Sequence, residues 1–545
     1  MATALHADTI LTGGRIVTMD DKGTVAGALA IWRDRIVALG DAAAVADLKG
    51  ARTKVIDLTG RTVIPGIVDS HCHPDSHAAH KVKWHDIGYP SVRSIPDMLA
   101  MVDRATRALP EGQWFMGFGY NDQKCGGYPT RDQLDAVCHG HPVWLYRTDG
   151  HIAIVNSAAL AFAGVTEQTP DPPHGRYDRD PATGRMTGLL REMAAWDIDR
   201  EMNKRTTTAE EYMRGFPAVF DDYLRHGVTS LHNSLTQGRA IDAYQRLRAE
   251  GRLPMRIGII LDGRDEVLVE SYLGAGVRTG FGDEWIRVVG VEWCPDCSTS
   301  GRTAAYYEPY VGTPVPGEPQ PNYGMLLYEK DELAPRVARA HAAGLRVCVE
   351  GLGDRGIDFA LDVIEAALQA HPRADHRSRI EHCCYVTPPI LERIKKLGCV
   401  DSSATGFMWS LGDAYAVNRG SQAMHWMFPH RALIDASVPA PGHSDAPVCG
   451  TNPWPIIQAM VTRKTDTGQD FGPGQAITVT EALAAYTVLG AWAGFEEALK
   501  GSLEVGKLAD LAVLDQDPFT CDPETIKDTT VALTMVGGAI QWSAP

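Results

Sequence analysis

The segment Thr62–Asp75, TVIPGIVDSHCHPD, decides the fold of this chain. An apolar run from Val63 to Val68 leads into His71 and His73, which stand two positions apart. On a β-strand, residues i and i+2 point to the same side, so both imidazoles are expected to project from one face. Two imidazoles directed at one point suit a divalent metal such as zinc. The segment therefore predicts a metal site at the end of a strand.

Apolar runs that end in a polar or ionisable residue recur along the centre of the chain and alternate with helical stretches. This alternation is typical of a parallel α/β fold. In a (β/α)8 barrel of the TIM type, the site lies at the C-terminal ends of the strands, and we predict such a barrel over residues 63–501. The predicted strands end at His71, Asn233, Asp262, Glu292–Trp293, Glu350, His382, Ser402–Ser403 and Asp445.

The two ends of the chain have a different pattern from the centre. Both alternate apolar residues with Gly and Asp turns, which is typical of short strands. We therefore predict that residues 1–62 and 502–545 form one composite β-sandwich domain, with the barrel inserted between them. Residues 74–200 are too many for one connection between barrel strands. They are predicted to form an inserted, lid-like subdomain over the mouth of the barrel.

Composition and charge limit the classes of partner. The chain has 545 residues, is 44% hydrophobic and carries a formal net charge of −16. This charge argues against nucleic acid and anionic membranes as partners, because both need basic patches. No apolar run reaches the length of a membrane span, no secretory signal is recognisable, and the 11 Cys show no disulfide spacing. We expect a cytoplasmic homodimer that acts on a small-molecule substrate.

Several motifs, in order along nearly the whole chain, resemble the amidohydrolase superfamily and, more narrowly, its YtcJ-like branch, which includes N-substituted formamide deformylases. The resemblance implies a metal-binding (β/α)8 barrel with a composite β-sandwich, and hydrolysis by metal-activated water. The motifs are VIPGIVDSHCH (63–73), TSLH (229–232), RIEH (379–382), GHSDAPV (442–448) and GSLEVGKLADLAVLD (501–515), with RTDGHIAIVNSAAL (147–160) and DCSTSGRTAAYYEPY (296–310) as marks of the branch.

The resemblance also implies metal ligands. Four positions match the family pattern: His71, His73, His382 and Asp445. Two positions depart from it, since Glu292 stands where relatives usually have a Lys and Glu350 where they have a His. Carboxylates also bind zinc or manganese, so both are predicted ligands; pairing with Arg302 or Arg355 is the alternative. We expect one or two divalent ions, with zinc as the first choice and manganese or iron as alternatives.

These residues predict hydrolysis of a C–N bond in an amide-type substrate, such as an N-substituted amide or formamide. Asp445 is the predicted catalytic base, because a carboxylate beside the metal can take a proton from water. Four residues are candidates for substrate binding: His151, Arg302, Tyr120 and Trp114. Hydrolysis of an ester, lactone or cyclic amide, or decarboxylation, is an alternative, since a fold does not determine a function. A non-catalytic small-molecule-binding regulator is a second alternative.

Some residues have a simpler interpretation. Cys294 and Cys297 have the C-x-x-C spacing, but there is no second pair and the motif follows a barrel strand, so we interpret the spacing as chance. His382 could be a buried, hydrogen-bonded histidine, and Asp445 could cap the turn that follows it. Only their register with the H-x-H pair favours a metal role for these two residues.

Overall fold

The computed structural model describes residues 6–315 and 318–545, and within these it describes the side chains of all but residues 200–206. The predicted domain that begins at residue 1 therefore has its first five residues outside the described part. The N-terminal region consists of β1 (Thr9–Val17), β2 (Val25–Trp32), β3 (Arg35–Gly40), α1 (Ala42–Ala46), β4 (Lys54–Asp57) and β5 (Thr62–Pro65). The strand with the H-x-H pair follows as β6 (Ile67–Cys72), and then α2 (Pro74–Lys83).

The region after α2 forms a sheet of its own. Its six strands lie in the order β11-β12-β10-β9-β8-β7. In chain order, its elements are β7 (His85–Asp86), α3 (Ile95–Thr106), β8 (Phe115–Tyr120), α4 (Asp122–Cys125), α5 (Arg131–Asp135), β9 (Val143–Arg147), β10 (Ile152–Val155), α6 (Ser157–Phe162), β11 (Gly175–Arg179), β12 (Met186–Glu192) and α7 (Met193–Thr206). The limits of the predicted subdomain, 74–200, and its role as a lid stay a prediction.

The central region alternates strands with helices. Its elements are α8 (Ala209–Leu224), β13 (Val228–Thr236), α9 (Gly238–Ala249), β14 (Arg256–Asp262), α10 (Glu266–Gly274), β15 (Ile286–Trp293), α11 (Lys330–Ala342), β16 (Val347–Gly351), α12 (Asp354–Ala370), β17 (Arg379–His382), α13 (Pro388–Leu397), β18 (Val400–Ser403), α14 (Gly406–Arg419), α15 (His430–Asp435), α16 (Trp454–Thr462), α17 (Val479–Ala485) and α18 (Val488–Ala493). Short 3-10 helices lie at Ser421–Trp426, Pro473–Gln475 and Pro523–Asp528. The chain ends with β19 (Leu511–Leu514), β20 (Val531–Val536) and β21 (Ala539–Ser543).

Seven parallel strands form a nearly closed, barrel-like sheet in the order β18-β17-β16-β15-β14-β13-β6. They are buried almost throughout, and β14, β15 and β16 are mainly apolar, as expected for parallel strands covered on both faces. The pairing of β6 with β13 and of β16 with β17 brings the predicted site residues to one end of the sheet. The mixed α/β fold and the barrel-like sheet are therefore as the sequence predicts.

The predicted eighth strand is wrong in detail, because residues 439–445 form an irregular segment rather than a regular strand. The segment still fills the gap between β18 and β6: Ser403 N donates to Pro441 O at 3.0 Å, and Ser70 N lies 3.5 Å from Gly442 O. Pro439 and Pro441 have no N–H group and cannot donate to a ladder. The barrel is closed by an irregular segment whose two prolines only accept main-chain hydrogen bonds.

Strands from both ends of the chain share one eight-stranded sheet, in the order β21-β20-β19-β5-β1-β2-β3 with β4 beside β1. β19 pairs with β5 in antiparallel register, from Leu511 opposite Pro65 to Leu514 opposite Thr62. The β-sandwich and its limits, 1–62 with 502–545, stay a prediction. Among the described residues, no helix is both long enough and apolar enough to span a bilayer.

Candidate metal centre

Four of the predicted ligands meet at the C-terminal end of the barrel strands. Asp445 Oδ1 lies 3.3 Å from His71 Nε2 and 3.0 Å from His73 Nε2. One nitrogen of His382 joins this group, since ligand atoms of His71, His382 and Asp445 all lie within 4.8 Å of one another. Ligands about 2.0–2.2 Å from a zinc ion stand about 3–4 Å apart. The spacing is therefore that of a metal site.

The hydrogen bonding of these atoms tests whether a metal fits. His71 Nε2, His382 Nδ1 and Asp445 Oδ1 are buried and have no hydrogen-bond partner of good geometry. A buried polar atom without a partner costs about 1–3 kcal/mol, so three such atoms facing one point call for a common partner. Imidazole nitrogens and a carboxylate oxygen are the donors that zinc prefers. The residues fit a divalent metal.

The backbone at the site is strained. His382 has φ = 68°, Cys383 has φ = 41° and Asp445 has φ = 54°, which lie in the left-handed region that L-residues seldom adopt. Such conformations are concentrated at functional sites, where the surrounding structure holds them. Asp445 N donates to His71 O at 3.0 Å, so the strained residue is tied to the H-x-H strand. The backbone holds the carboxylate against the imidazoles.

In each imidazole of the H-x-H pair, Nδ1 has a partner that sets the orientation of the ring. His71 Nδ1 is 2.8 Å from Glu381 Oε2, and His73 Nδ1 is 3.1 Å from Ser234 O. When each Nδ1 carries the proton and Nε2 does not, each Nε2 can present its lone pair to a metal. Carboxylates and carbonyls behind metal-binding histidines have this effect. Arg379 Nη2 in turn donates to Glu381 Oε2 at 2.7 Å.

Charges at the centre favour an ionised Asp445. Burial works against the carboxylate, but the His71 and His73 imidazoles help to outweigh it, and the pKa of Asp445 lies well below its usual range. Burial lowers the pKa of His382 to about 3, so this imidazole is neutral and free to bind a cation. An ionised carboxylate beside a neutral imidazole is the form in which both can ligate.

Glu292 and Glu350 lie beside this group. Glu292 Oε2 is 3.9 Å from His71 Nδ1 and accepts a hydrogen bond from Ser234 Oγ. Burial raises the pKa of Glu350 to about 8 and that of Glu292 well above its usual value. The alternative of pairing with arginine is wrong: Arg302 binds Glu318, and Arg355 donates to backbone carbonyls of residues 323 and 324.

The four predicted substrate-binding residues have different surroundings. His151 Nδ1 is 2.7 Å from Glu192 Oε2, and the charge of Glu350 acts on the His151 imidazole, so His151 lies near the centre. Arg302 uses its guanidinium on Glu318, on Val311 O and on Asn418 Oδ1. These contacts place Arg302 in an internal network, and its role toward substrate stays a prediction.

The two aromatic candidates lie in the six-stranded region. Tyr120 is buried and its hydroxyl donates to Gly127 O at 2.7 Å. Trp114 is partly buried and packs edge-on against Phe162, with ring centroids 5.0 Å apart. Both side chains have neighbours within their own region, and their contact with substrate stays a prediction.

The sequence interpretation missed three residues at the centre. The His443 ring stacks on His71 with centroids 4.8 Å apart, and its Nδ1 is buried without a partner. The H-x-D spacing of GHSD, equal to that of the H-x-H pair, could have indicated it. Glu381 lies inside the quoted RIEH motif, and Glu192 ends the stretch GRMTGLLRE (184–192). A carboxylate at a strand end was the available signal in both.

Comparisons with known proteins show which family this chain is similar to. The model of the amidohydrolase family matches residues 54–541. An N-substituted formamide deformylase of Arthrobacter pascens is 29% identical over 548 residues, covering 98% of each chain. The amidohydrolase YtcJ of Bacillus subtilis strain 168 is 27% identical, covering 97% of this chain and 98% of its own.

A solved structure supports the same relationship. The crystal structure of a metal-dependent hydrolase from Pyrococcus furiosus is 28% identical and superimposes with a TM-score of 0.72, covering 94% of this chain and 100% of its own. The similarity extends over the terminal regions as well as the barrel. Because the family model matches most of the sequence and the metal-type residues converge where the barrel strands end, this chain belongs to the amidohydrolase family.

Proposed function

We propose that this protein is a metal-dependent hydrolase that cleaves a C–N bond in an N-substituted amide or formamide. The observation that carries the proposal is the convergence of His71, His73, His382 and Asp445 at the C-terminal end of the barrel, with unpartnered atoms on all of them but His73. Membership of the amidohydrolase family supports metal-dependent hydrolysis. The relative named a formamide deformylase supports the choice of substrate class.

These four residues would hold the metal, with Glu292 and Glu350 as further proposed ligands. A divalent ion bound there would supply a Lewis acid that polarises the scissile carbonyl and lowers the pKa of water toward neutrality. Zinc is the proposed ion because three imidazoles and a carboxylate form its usual donor set. Manganese or iron are alternatives, since carboxylates at positions 292 and 350 add harder oxygen donors.

Asp445 is the proposed base. Its carboxylate is kept ionised by the neighbouring imidazoles and is held against the H-x-H pair by the Asp445 N to His71 O bond. It accepts the proton of the attacking water at a carboxylate oxygen and passes that proton to the leaving nitrogen. Protonation of the nitrogen is needed because an amide anion is a poor leaving group.

The six-stranded region contacts the mouth of the barrel. Arg147 Nη1 donates to Ser300 Oγ at 2.9 Å, and Thr148 Oγ1 donates to Val448 O at 3.2 Å, so the region contacts loops at the barrel mouth. These contacts bring His151 to the edge of the centre, where it can orient a substrate carbonyl. We propose that the region covers the site and excludes bulk water. The homodimer and the cytoplasmic location stay predictions.

The experiment is a metal analysis followed by a substrate panel. Purified protein is expected to contain at least about one transition metal per chain, and to hydrolyse N-substituted formamides faster than acetamides, cyclic amides, lactones or esters of matched size. Treatment with a chelator should abolish the activity, and added zinc should restore it. Faster turnover of lactones or esters would favour the alternative hydrolase, and protein without bound metal would favour a regulator.

A further inference from the structure

Arg346 is a buried arginine at the end of the barrel opposite the metal centre. It lies directly before β16, two positions before Cys348, and its side chain is 0% exposed. Its Nη1 donates to Ala493 O, but its Nε and Nη2 are buried without a hydrogen-bond partner. Among the described residues, no carboxylate forms an ion pair with this side chain. Burial lowers the pKa of Arg346 to about 10, so its guanidinium is still charged at neutral pH.

The other fully buried arginines of the described chain have the partners that Arg346 lacks. Arg147, Arg256 and Arg379 each form an ion pair with a carboxylate. Arg463 has no such pair, but its Nε, Nη1 and Nη2 all donate to backbone carbonyls. A buried charge is costly unless it is paired and its hydrogen bonds are made. Arg346 therefore calls for a partner that the protein itself does not supply.

The two free nitrogens of Arg346 indicate the shape of that partner. Nε and Nη2 lie on one edge of the planar guanidinium, and their N–H groups point in parallel. Arg256 uses these two atoms to hold both oxygens of Asp510, at 2.6 and 2.9 Å. Arg302 uses the same two atoms on Glu318. The free edge of Arg346 is therefore suited to two oxygen atoms of one planar anion.

His232, on β13, offers a further free donor in the same part of the barrel. Burial and the Arg379 charge lower the pKa of His232 well below its usual value, so its ring is neutral; the Arg346 charge also acts on it. Arg379 Nη1 lies 3.5 Å from His232 Nδ1 and can only donate, so the ring proton is on Nε2, which is buried without a partner. Glycines lie beside both free donors. A Cβ at Gly290 would lie 3.4 Å from Arg346 Nε, and one at Gly494 would lie 3.0 Å from His232 Nε2.

Charge around this end of the barrel is unbalanced toward the positive. Lys500 Nζ lies 2.9 Å from Glu496 Oε2, and Arg287 Nη1 lies 3.7 Å from Glu496 Oε1, so two cations share one carboxylate. Glu496 Oε2 is also 4.0 Å from His232 Nε2, which is beyond hydrogen-bond distance. Arg346 adds a further positive charge, although the whole chain carries a net charge of −16. One bound anion of charge −1 would neutralise the guanidinium.

We propose that Arg346 and His232 bind one small planar oxyanion, of the class of formate, bicarbonate or nitrate, inside the closed end of the barrel. Arg346 holds two of its oxygens through Nε and Nη2, and His232 donates to it from Nε2. The anion stays bound without reacting and links β16 to β13. This site is separate from the metal centre, and it does not rest on the proposed function.

Anion binding by the full-length protein tests the proposal. The protein is dialysed against [¹⁴C]formate or [¹⁴C]bicarbonate, and the two labels distinguish a carboxylate from dissolved carbonate. We expect the wild type to bind one equivalent more of at least one of them than Arg346→Met. At equal ionic strength, formate or nitrate should raise the thermal unfolding midpoint of the wild type more than chloride does, because a ligand of the folded state stabilises it. Arg346→Met should lose this difference.

Arg346→Lys is a second variant, because it keeps the positive charge but lacks the two-pronged edge. It should lose the preference for planar oxyanions over chloride. Arg377→Met is the matched control: Arg377 lies over the Phe495 ring, as Arg346 does, but is paired with Asp375 and Glu497. It should keep the bound equivalent and the preference.

Two results would overturn the inference. The first is a wild type that binds no more anion than Arg346→Met, which would mean that water alone fills the space. The second is a midpoint that depends on ionic strength and not on the kind of anion. Neither result bears on the proposed function, which metal content and turnover test separately.

Discussion

Two buried charged regions of this molecule are built in opposite ways. Where the barrel meets the terminal sheet, Arg256 donates from Nε to Asp510 Oδ2 at 2.6 Å and from Nη2 to Asp510 Oδ1 at 2.9 Å. Its Nη1 donates to Glu284 O, and Gly537 N donates to Asp510. At the metal centre, by contrast, buried atoms of His71, His382 and Asp445 face one another without hydrogen-bond partners.

The difference separates a structural site from a functional one. A buried ion pair whose hydrogen bonds are all made needs nothing further, and its charges stabilise only the fold. A buried group with orphaned atoms is costly until a ligand supplies the missing partner. We therefore expect substitutions at the Arg256–Asp510 junction to change stability and substitutions at the centre to change metal binding or turnover.

The largest expected effect is that of Asp445→Asn on turnover. Asn cannot accept a proton from water, and loss of a general base typically costs about 10²–10⁴-fold in rate. The measurement is kcat on the best substrate of the panel, with metal content and circular dichroism matched to the wild type. A metal-saturated variant with wild-type turnover would show that another group handles the proton, and Glu350 would be the next candidate.

Asp510→Ala should lower the stability of the fold and leave turnover unchanged. It leaves the Arg256 guanidinium buried and unpaired, which costs about 3–5 kcal/mol of unfolding free energy. Denaturant unfolding measures the loss, and turnover per folded molecule should stay at the wild-type value. Asp515→Ala is the control, because the Asp515 and Arg61 side chains are 40% and 44% exposed and such a pair is worth about 0–1 kcal/mol. Equal losses in both variants would contradict the comparison.

Glu381→Gln tests the orientation of His71. The amide keeps the shape but replaces a carboxylate acceptor, so His71 Nδ1 loses its charged partner and Arg379 loses its ion pair. Removal of such a partner typically weakens metal binding by about 10–100-fold. Competition with a chromophoric chelator measures the affinity, and Glu381→Asp should recover part of it. Unchanged affinity in Glu381→Gln would mean that β17 alone orients the imidazole.

The smallest expected effect is a pH dependence of the Asp510 contribution. Burial opposes ionisation of Asp510, but the Arg256 charge outweighs it and lowers its pKa. A carboxyl whose pKa is lowered by folding stabilises the protein above its unfolded pKa of about 3.9 and loses this contribution as pH falls further. The difference in unfolding free energy between the wild type and Asp510→Asn should thus be constant from about pH 7 to 5. It should become smaller below about pH 4. A gap that widened in acid would contradict this.

The sequence predicted the parts of this structure that depend on local pattern. The apolar runs that end at Asp262 and Trp293 are strands with those ends, because burial on both faces leaves a continuous hydrophobic signal. The convergence of His71 with Asp445 followed from family order and from the geometry of barrel strand ends.

The parts that the sequence did not predict depend on partners that are distant along the chain. His71 and Glu381 are separated by 310 residues, so nothing local indicated that this carboxylate orients the imidazole. Nor did any local pattern indicate that Glu318 binds the guanidinium of Arg302, whose role toward substrate stays a prediction. The eighth strand was predicted from its polar end at Asp445, although the prolines before it remove the donors that a regular ladder needs.

The proline-containing closure at residues 439–445 has a consequence for how metal leaves the protein. With two of its N–H groups missing, this segment can make fewer main-chain bonds than a regular strand of the same length, and segments with few such bonds open at the lowest free energy. Opening there would carry Asp445 away from the histidines while the other strands stay paired. We expect metal exchange to depend on this local opening and not on global unfolding. Its rate should therefore follow hydrogen exchange at the Asp445 and Ser403 amides and should not follow the free energy of global unfolding.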